Sequence, residues 1–308
     1  MKMIKNLIKG VCLLLVLGFT ANAQAEPAVN NPQALEVLQQ AYKLSADADS
    51  QHSDGKFLLQ TPLGIGSFSF HNDMLKYPGI KMKGEALMSL TGIVGNQSET
   101  KLPWYAELQG TDWTTYLQTE KGWSKQVIHL TEDEVKDMQA PAEYSSLEIF
   151  KQVDFDRITQ EQSVIKAVVS GKDLAQRIEK MMPTLIEKEK TEAKKGEMQA
   201  NGQTLSKLLS SAGEVDLYIT VNKAGYVEKV NCDLSEPLQK MIQTYLKDNG
   251  PKNEAQLGMI LSLAGSCKAN LELDINSYNQ VPGFEIPAEV KNAPEMKEEP
   301  KKDTEAQK

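Results

Sequence analysis

Three histidines, His52, His71 and His129, are the residues best suited to proton transfer or metal binding, and their surroundings favour neither. None has a second ligand at the helical or hairpin spacing that a metal centre needs. The chain has no Gly-x-Ser-x-Gly elbow, no phosphate loop and no dinucleotide fingerprint. Asp47-x-Asp49 opens like a calcium loop, but the twelfth position falls on Leu58, where such a loop requires a glutamate. A solvated polar turn from Asp47 to Gly55 accounts for it better. Glu132, Asp133 and Glu134 follow Thr131 as a capping box, and acids belong in a first helical turn on dipole grounds. These residues point to no catalytic group, no cofactor and no metal, so a non-enzymatic protein is expected.

The remaining distinctive side chains are aromatic or sulfur-bearing. Trp104, Trp113 and Trp123 fall within one run of strands. They could form a platform for a sugar or peptide, but core and cavity lining is the stronger reading, because buried aromatics dominate core energetics. Cys232 and Cys267 both lie on the apolar parity of their strands. A disulfide between them is expected, contributing roughly 3–4 kcal/mol by loop closure.

The N-terminus supplies an address. Lys2, Lys5 and Lys9 precede the apolar run Val11 to Gly18 and the small residues Ala21-Asn22-Ala23-Gln24-Ala25. That is the pattern of a signal peptide over residues 1–25, cleaved near Ala23 or Ala25, and the apolar run is too short to span a bilayer. The expected location is extracytoplasmic, periplasmic or secreted, with no membrane span in the mature chain. Cys12 precedes most of the apolar run instead of following it, which argues against lipidation. Losing three lysines takes the net charge from −8 to −11. An acidic chain repels nucleic-acid phosphates and anionic membranes, so nucleic acid is excluded as a partner.

The elements that must position these residues can be read in order. Asn31-Pro32 caps and starts an amphipathic helix to about Ser45. Strand-like runs follow from Phe57, where Gly64 and Gly66 suggest a bend or bulge, and a meander carries the three tryptophans. Ile158 to Val169 reads as one strand. Lys172 to Ile186 has helical spacing, with Pro183 expected to kink or interrupt it. Residues 187–202 form a charged insertion. Val215, Leu217, Ile219 and Val221 alternate with polar residues, and Lys223-Ala224-Gly225 turns the chain back. A helix through Leu238 and Met241, an apolar helix through Leu257 and Ile260, and a strand through Leu271 and Leu273 complete the domain, 26–293. Residues 294–308 read as a disordered charged tail.

This order, with Asn276-Ser277-Tyr278-Asn279-Gln280-Val281, Phe284-Glu285-Ile286-Pro287-Ala288-Glu289-Val290 and the aromatic strand Trp113 to Leu117 before Lys121-Gly122-Trp123, resembles the LolA/LppX-like superfamily of bacterial envelope proteins. The resemblance implies an α+β fold: a strongly curved antiparallel half-barrel with helices on its concave face and an apolar cavity between them. It implies carriage of a lipid or lipoprotein ligand, or alternatively an envelope sensor or scaffold acting on a protein partner, and it offers no catalytic residues. The expected cavity lining is Trp113, Leu117, Met181, Met182, Leu185, Leu217, Ile219, Met241, Ile260, Leu271 and Leu273.

Overall fold

A computed structural model describes residues 31–77, 79–92, 97–139, 150–187 and 192–296. Residues 1–30, where the signal peptide is expected, and the last twelve residues lie outside the described residues. Helix α1 (Pro32–Ala46) leads into β1 (Ser50–Thr61), β2 (Gly64–Leu75), β3 (Lys81–Gly92), β4 (Gln97–Gln109), β5 (Asp112–Thr119) and β6 (Gly122–His129). After α2 (Glu132–Gln139) come β7 (Phe150–Ile158), β8 (Gln162–Ser170), α3 (Gly171–Glu187) and α4 (Glu192–Ala212). The hairpin β9 (Glu214–Asn222) and β10 (Val227–Asp233) precedes α5 (Ser235–Asn249), α6 (Glu254–Ala264), β11 (Lys268–Asn276) and α7 (Ala288–Lys291). The fold is α+β: one open, strongly curved antiparallel sheet in the order β6-β5-β4-β3-β2-β1-β11-β10-β9-β8-β7, with helices on its concave face.

Local signals behave as the sequence dictates at several ends. The Asn31 side chain accepts from the Ala34 N–H at 3.1 Å, and Pro32 occupies the first turn. Thr131 and Glu134 exchange backbone-to-side-chain bonds as a capping box. Other expectations need correcting. The polar stretch from Asp47 is a turn only to Asp49, because β1 already pairs from Ser50. Residues 150–170 form a hairpin, its turn held by Thr159 Oγ1, which accepts from the Gln162 N–H. β2 is regular through Gly64 and Gly66, and the register shifts fall in β7 and β10 instead. α3 runs through Pro183.

Cys232 and Cys267 are not bridged; both are free and buried. The register explains this. Cys232 faces Leu271, four residues beyond Cys267, which sits in the turn before β11 with its Sγ 3.7 Å from the Leu263 carbonyl. Four strand residues span roughly 13 Å, about twice what a disulfide tolerates.

The core lies between the sheet and its helices. Ala34, Leu38 and Ala41 of α1 pack on Val153, Ile165 and Ile219. Leu238 of α5 packs on Phe57, Cys267 and Ala269. The α3–α4 pair contributes Ala175, Ile178 and Leu209. Leu174 and Met241 join these clusters, since each touches two of them. On the opposite side of the sheet a C-terminal strap crosses β4–β6. Ile286 and Val290 pack against Tyr105, Tyr116 and Trp123, and Pro294 and Met296 bond to the backbone of Lys125 at the sheet edge.

Candidate functional site

Following the register from strand to strand sorts the sheet into two unlike faces. One carries His52, Asp54 and Lys56 on β1, then Asp73, Lys83, Glu85, Lys101 and Glu107 outward, and Glu272, Asp274, Lys229, Asp216 and Lys166 the other way. Cross-strand ion pairs lace it together, among them Lys166–Asp216 at 2.6 Å and Lys83–Asp73 at 3.2 Å. Among the described residues the other face holds no charged side chain at any paired position of the eleven strands.

Helices fill the uncharged face only in part. Over β7 to β11 and β1 it is covered, among the described residues, by α1, α3 and α5, with α4 packed on α3 and α5. Their clusters reach as far as Phe68 on β2. Beyond it the same face continues with Phe70, Met74, Met82, Met88, Leu102, Trp104, Leu108, Trp113 and Leu117, all half-buried, and ends on Leu90 and Ile128, which are 42% and 47% exposed.

Glycines shape this half. The Phe70 ring lies on Gly55, directly opposite, with its Cε1 2.1 Å from where a β-carbon would stand. Trp104 lies on Gly84 in the same way, and Leu90 leans on Gly66. A ring laid along the sheet leaves open the space that an upright ring would fill. The product is a low, uncharged surface, rich in aromatic and methionine side chains that adapt to what they contact.

The expected lining residues divide across this boundary. Trp113 and Leu117 stand on the uncovered half of the face. Leu217, Ile219, Leu271 and Leu273 share the face but lie where α1 and α5 cover it. Met241 packs among Phe57, Leu238 and the α3–α4 pair, and Met182 lies against Gly202 between α3 and α4. Ile260 is half-buried on α6. The side chains of Met181 and Leu185 lie outside the described residues. Sequence reasoning missed Phe68, Phe70, Met74, Met82, Met88 and Leu102 because their alternation is broken by glycines whose partners lie on the neighbouring strand.

A cavity of about 340 Å³ opens on the charged face, lined by Asp54, Lys56, Ser69, His71, Glu85, Glu272 and Asp274 among others. Its ionised walls suit no apolar ligand. Among the described residues no group of three or more His, Cys, Asp or Glu is placed to hold a metal ion, and no helix is long and apolar enough to cross a membrane.

The closing phrase has a structural job. Tyr278 stacks on Tyr226 at 4.3 Å and donates its hydroxyl to the Val227 carbonyl. Asn279, at a φ of 58° that asparagine tolerates, accepts from the Asp49 N–H. These bonds pin the end of β11 to the junction of α1 and β1.

No family model matches the chain, and no curated protein matches it. Among solved structures, LprF from Mycobacterium bovis aligns over 83% of this chain and 98% of its own, at 12% identity and a TM-score of 0.36. A LolA superfamily protein from Nitrosomonas europaea aligns over 79% and 91%, at 8% identity and a TM-score of 0.21. Superpositions this loose carry neither a residue nor a ligand across.

Proposed function

We propose that this protein is a non-enzymatic, extracytoplasmic binding or carrier protein for a lipid-like ligand, whose acyl chain lies on the uncharged face over β2 to β6. One observation carries this reading: among the described residues a face without charge runs across all eleven strands, yet the packed helical clusters stop at Phe68. A protein partner is selected largely through complementary charge, which this face lacks. A hydrocarbon chain needs none, and each methylene taken from water contributes about 0.8 kcal/mol. The family resemblance of the closing residues implies the same ligand class.

The test is a titration with fatty acyl methyl esters of increasing length, followed by displacement of an apolar fluorescent dye. Affinity is expected to rise about fourfold per added methylene until the face is covered. Saturable binding with no length dependence, or no binding, would defeat the reading and favour a sensor or scaffold that acts on another protein.

A further inference from the structure

The cavity of about 340 Å³ on the charged face lies over β11, β1, β2 and β3. The register sets two neighbouring rows of residues along it. Asp274, Asp54, His71 and Glu85 form one row, and Glu272, Lys56, Ser69 and Leu87 form the next. All eight line the cavity.

The ion pairs of this face leave part of that lining unused. Lys229 pairs with Glu272 and lies 3.4 Å from Asp274, His52 Nε2 lies 3.0 Å from Asp54, and Lys101 reaches Glu85 at 3.7 Å. Lys56, Ser69 and His71 have no hydrogen bond or ion pair among the described residues. Asp54 and Asp274 stand directly opposite each other, and like charges so placed are unfavourable in a sheet. The first row is therefore acidic, with three carboxylates around one imidazole. Beside Glu272, which Lys229 occupies, the second row offers an uncommitted ammonium and a hydroxyl, with Leu87 as its apolar end.

We infer that this cavity binds a dipeptide-sized zwitterion, with its ammonium at Asp54, His71 and Glu85 and its carboxylate at Lys56 and Ser69. Rows two residues apart on a strand are separated by about 6.7 Å. An extended chain spans at most about 3.5 Å per residue, so a dipeptide reaches from one row to the next and a single amino acid does not. Charge-assisted bonds at both ends replace the solvation that each ion gives up. The site lies on the opposite side of the sheet from the uncharged face, so it stands apart from the acyl-binding reading.

The test titrates the protein with glycylglycine at pH 7, where the amine is largely protonated, and follows backbone amide shifts by NMR. Glycine, N-acetylglycylglycine and glycylglycinamide serve as the short, amine-blocked and carboxylate-blocked probes. Saturable shifts confined to β1, β2, β3 and β11 are expected with glycylglycine, and each comparison probe should bind about tenfold more weakly. Lys56→Gln is expected to bind glycylglycine and its amide alike. Glu85→Gln is expected to weaken glycylglycine several-fold and leave the amine-blocked form unchanged. Neither side chain is buried, so both variants should melt with the wild type. If glycylglycinamide bound the wild type as well as glycylglycine, the cavity would be a simple cation site and the inference would fall. Equal binding of glycine would overturn the spacing, and an unchanged dipeptide affinity in Lys56→Gln would overturn the place given to the carboxylate. No saturable shift with glycylglycine would overturn the inference outright and leave the acyl-binding reading untouched.

Discussion

The indole of Trp104 lies on Gly84, and the backbone carbonyl of His71 closes the other side, 2.3 Å from where a β-carbon would project. The neighbouring case differs: at Gly55 the nearest atoms belong to the movable end of the Phe70 ring.

That difference separates stability from binding. Gly84→Ala must push against backbone and is expected to cost about 1–3 kcal/mol, seen as a lower midpoint in urea. Gly55→Ala is expected to cost less, because the Phe70 ring can swing away. The displaced ring would stand up from the uncharged face and weaken binding of a long acyl chain several-fold. Equal stability losses in the two variants would show that the rings are not what the glycines accommodate.

The thiols give a second expectation. Burial pushes the Cys232 thiol up to about 12, with the nearby Asp233 and Asp216 charges adding to it, and burial raises Cys267 as well. Thiolate is the reactive form, so both groups should resist a thiol reagent at pH 8 in the native protein. Both should react fully once the chain is denatured without reductant. A denatured, unreduced chain with no free thiol would contradict the register that keeps them apart.

Much of the fold is legible because alternation needs no partner to be seen. Val215, Leu217, Ile219 and Val221 announce β9, and Asn31-Pro32 and Thr131–Glu134 announce their helix starts. Legibility fails where a residue makes sense only across strands. His52 and Asp54 read as a polar turn, since the sequence does not show Asp73 waiting on β2. The role of Gly84 shows only with Trp104, twenty positions on, lying over it. Pro183, expected to kink or interrupt its helix, does not interrupt α3, which packs along α4.

His52 sets a pH dependence. Its Nδ1 lies 2.6 Å from Asp73 and its Nε2 3.0 Å from Asp54, and a neutral ring has only one N–H to donate. Burial disfavours the charged ring, but the hydrogen bond to Asp73 and the charges of Asp54 and Asp73 outweigh it, leaving the pKa above the usual 6.5. A raised folded pKa gives stabilisation that is complete below about 6.5 and fades as pH rises through the folded value. Asp73 acts at the acid end: burial is outweighed by His52 and Lys83, so its pKa is depressed. Its contribution is present above about 4 and lost as pH falls through the depressed value. Melting temperatures of the wild type and His52→Gln should converge as pH climbs from about 6.5 toward 8. Parallel curves over that range would mean the ring carries no such linkage.

The strap on the charged face should depend on one buried carboxylate. Glu107 is 2% exposed, accepts the Tyr116 hydroxyl at 2.8 Å and lies 3.7 Å from the Lys291 ammonium on α7. Around it Val290 is buried against Tyr116 and Trp123. Lys291→Met removes the ammonium paired with that carboxylate and is expected to cost on the order of 1–3 kcal/mol. Adding Glu107→Gln should recover part of the loss, because a neutral amide can still accept from Tyr116 and needs no counter-charge. Val290→Ala should cost about 2 kcal/mol by lost burial alone, with no such recovery. Urea midpoints read through Trp123 fluorescence would follow all three. A double variant no more stable than Lys291→Met would show that the strap is held by its apolar contacts, with the ion pair contributing little.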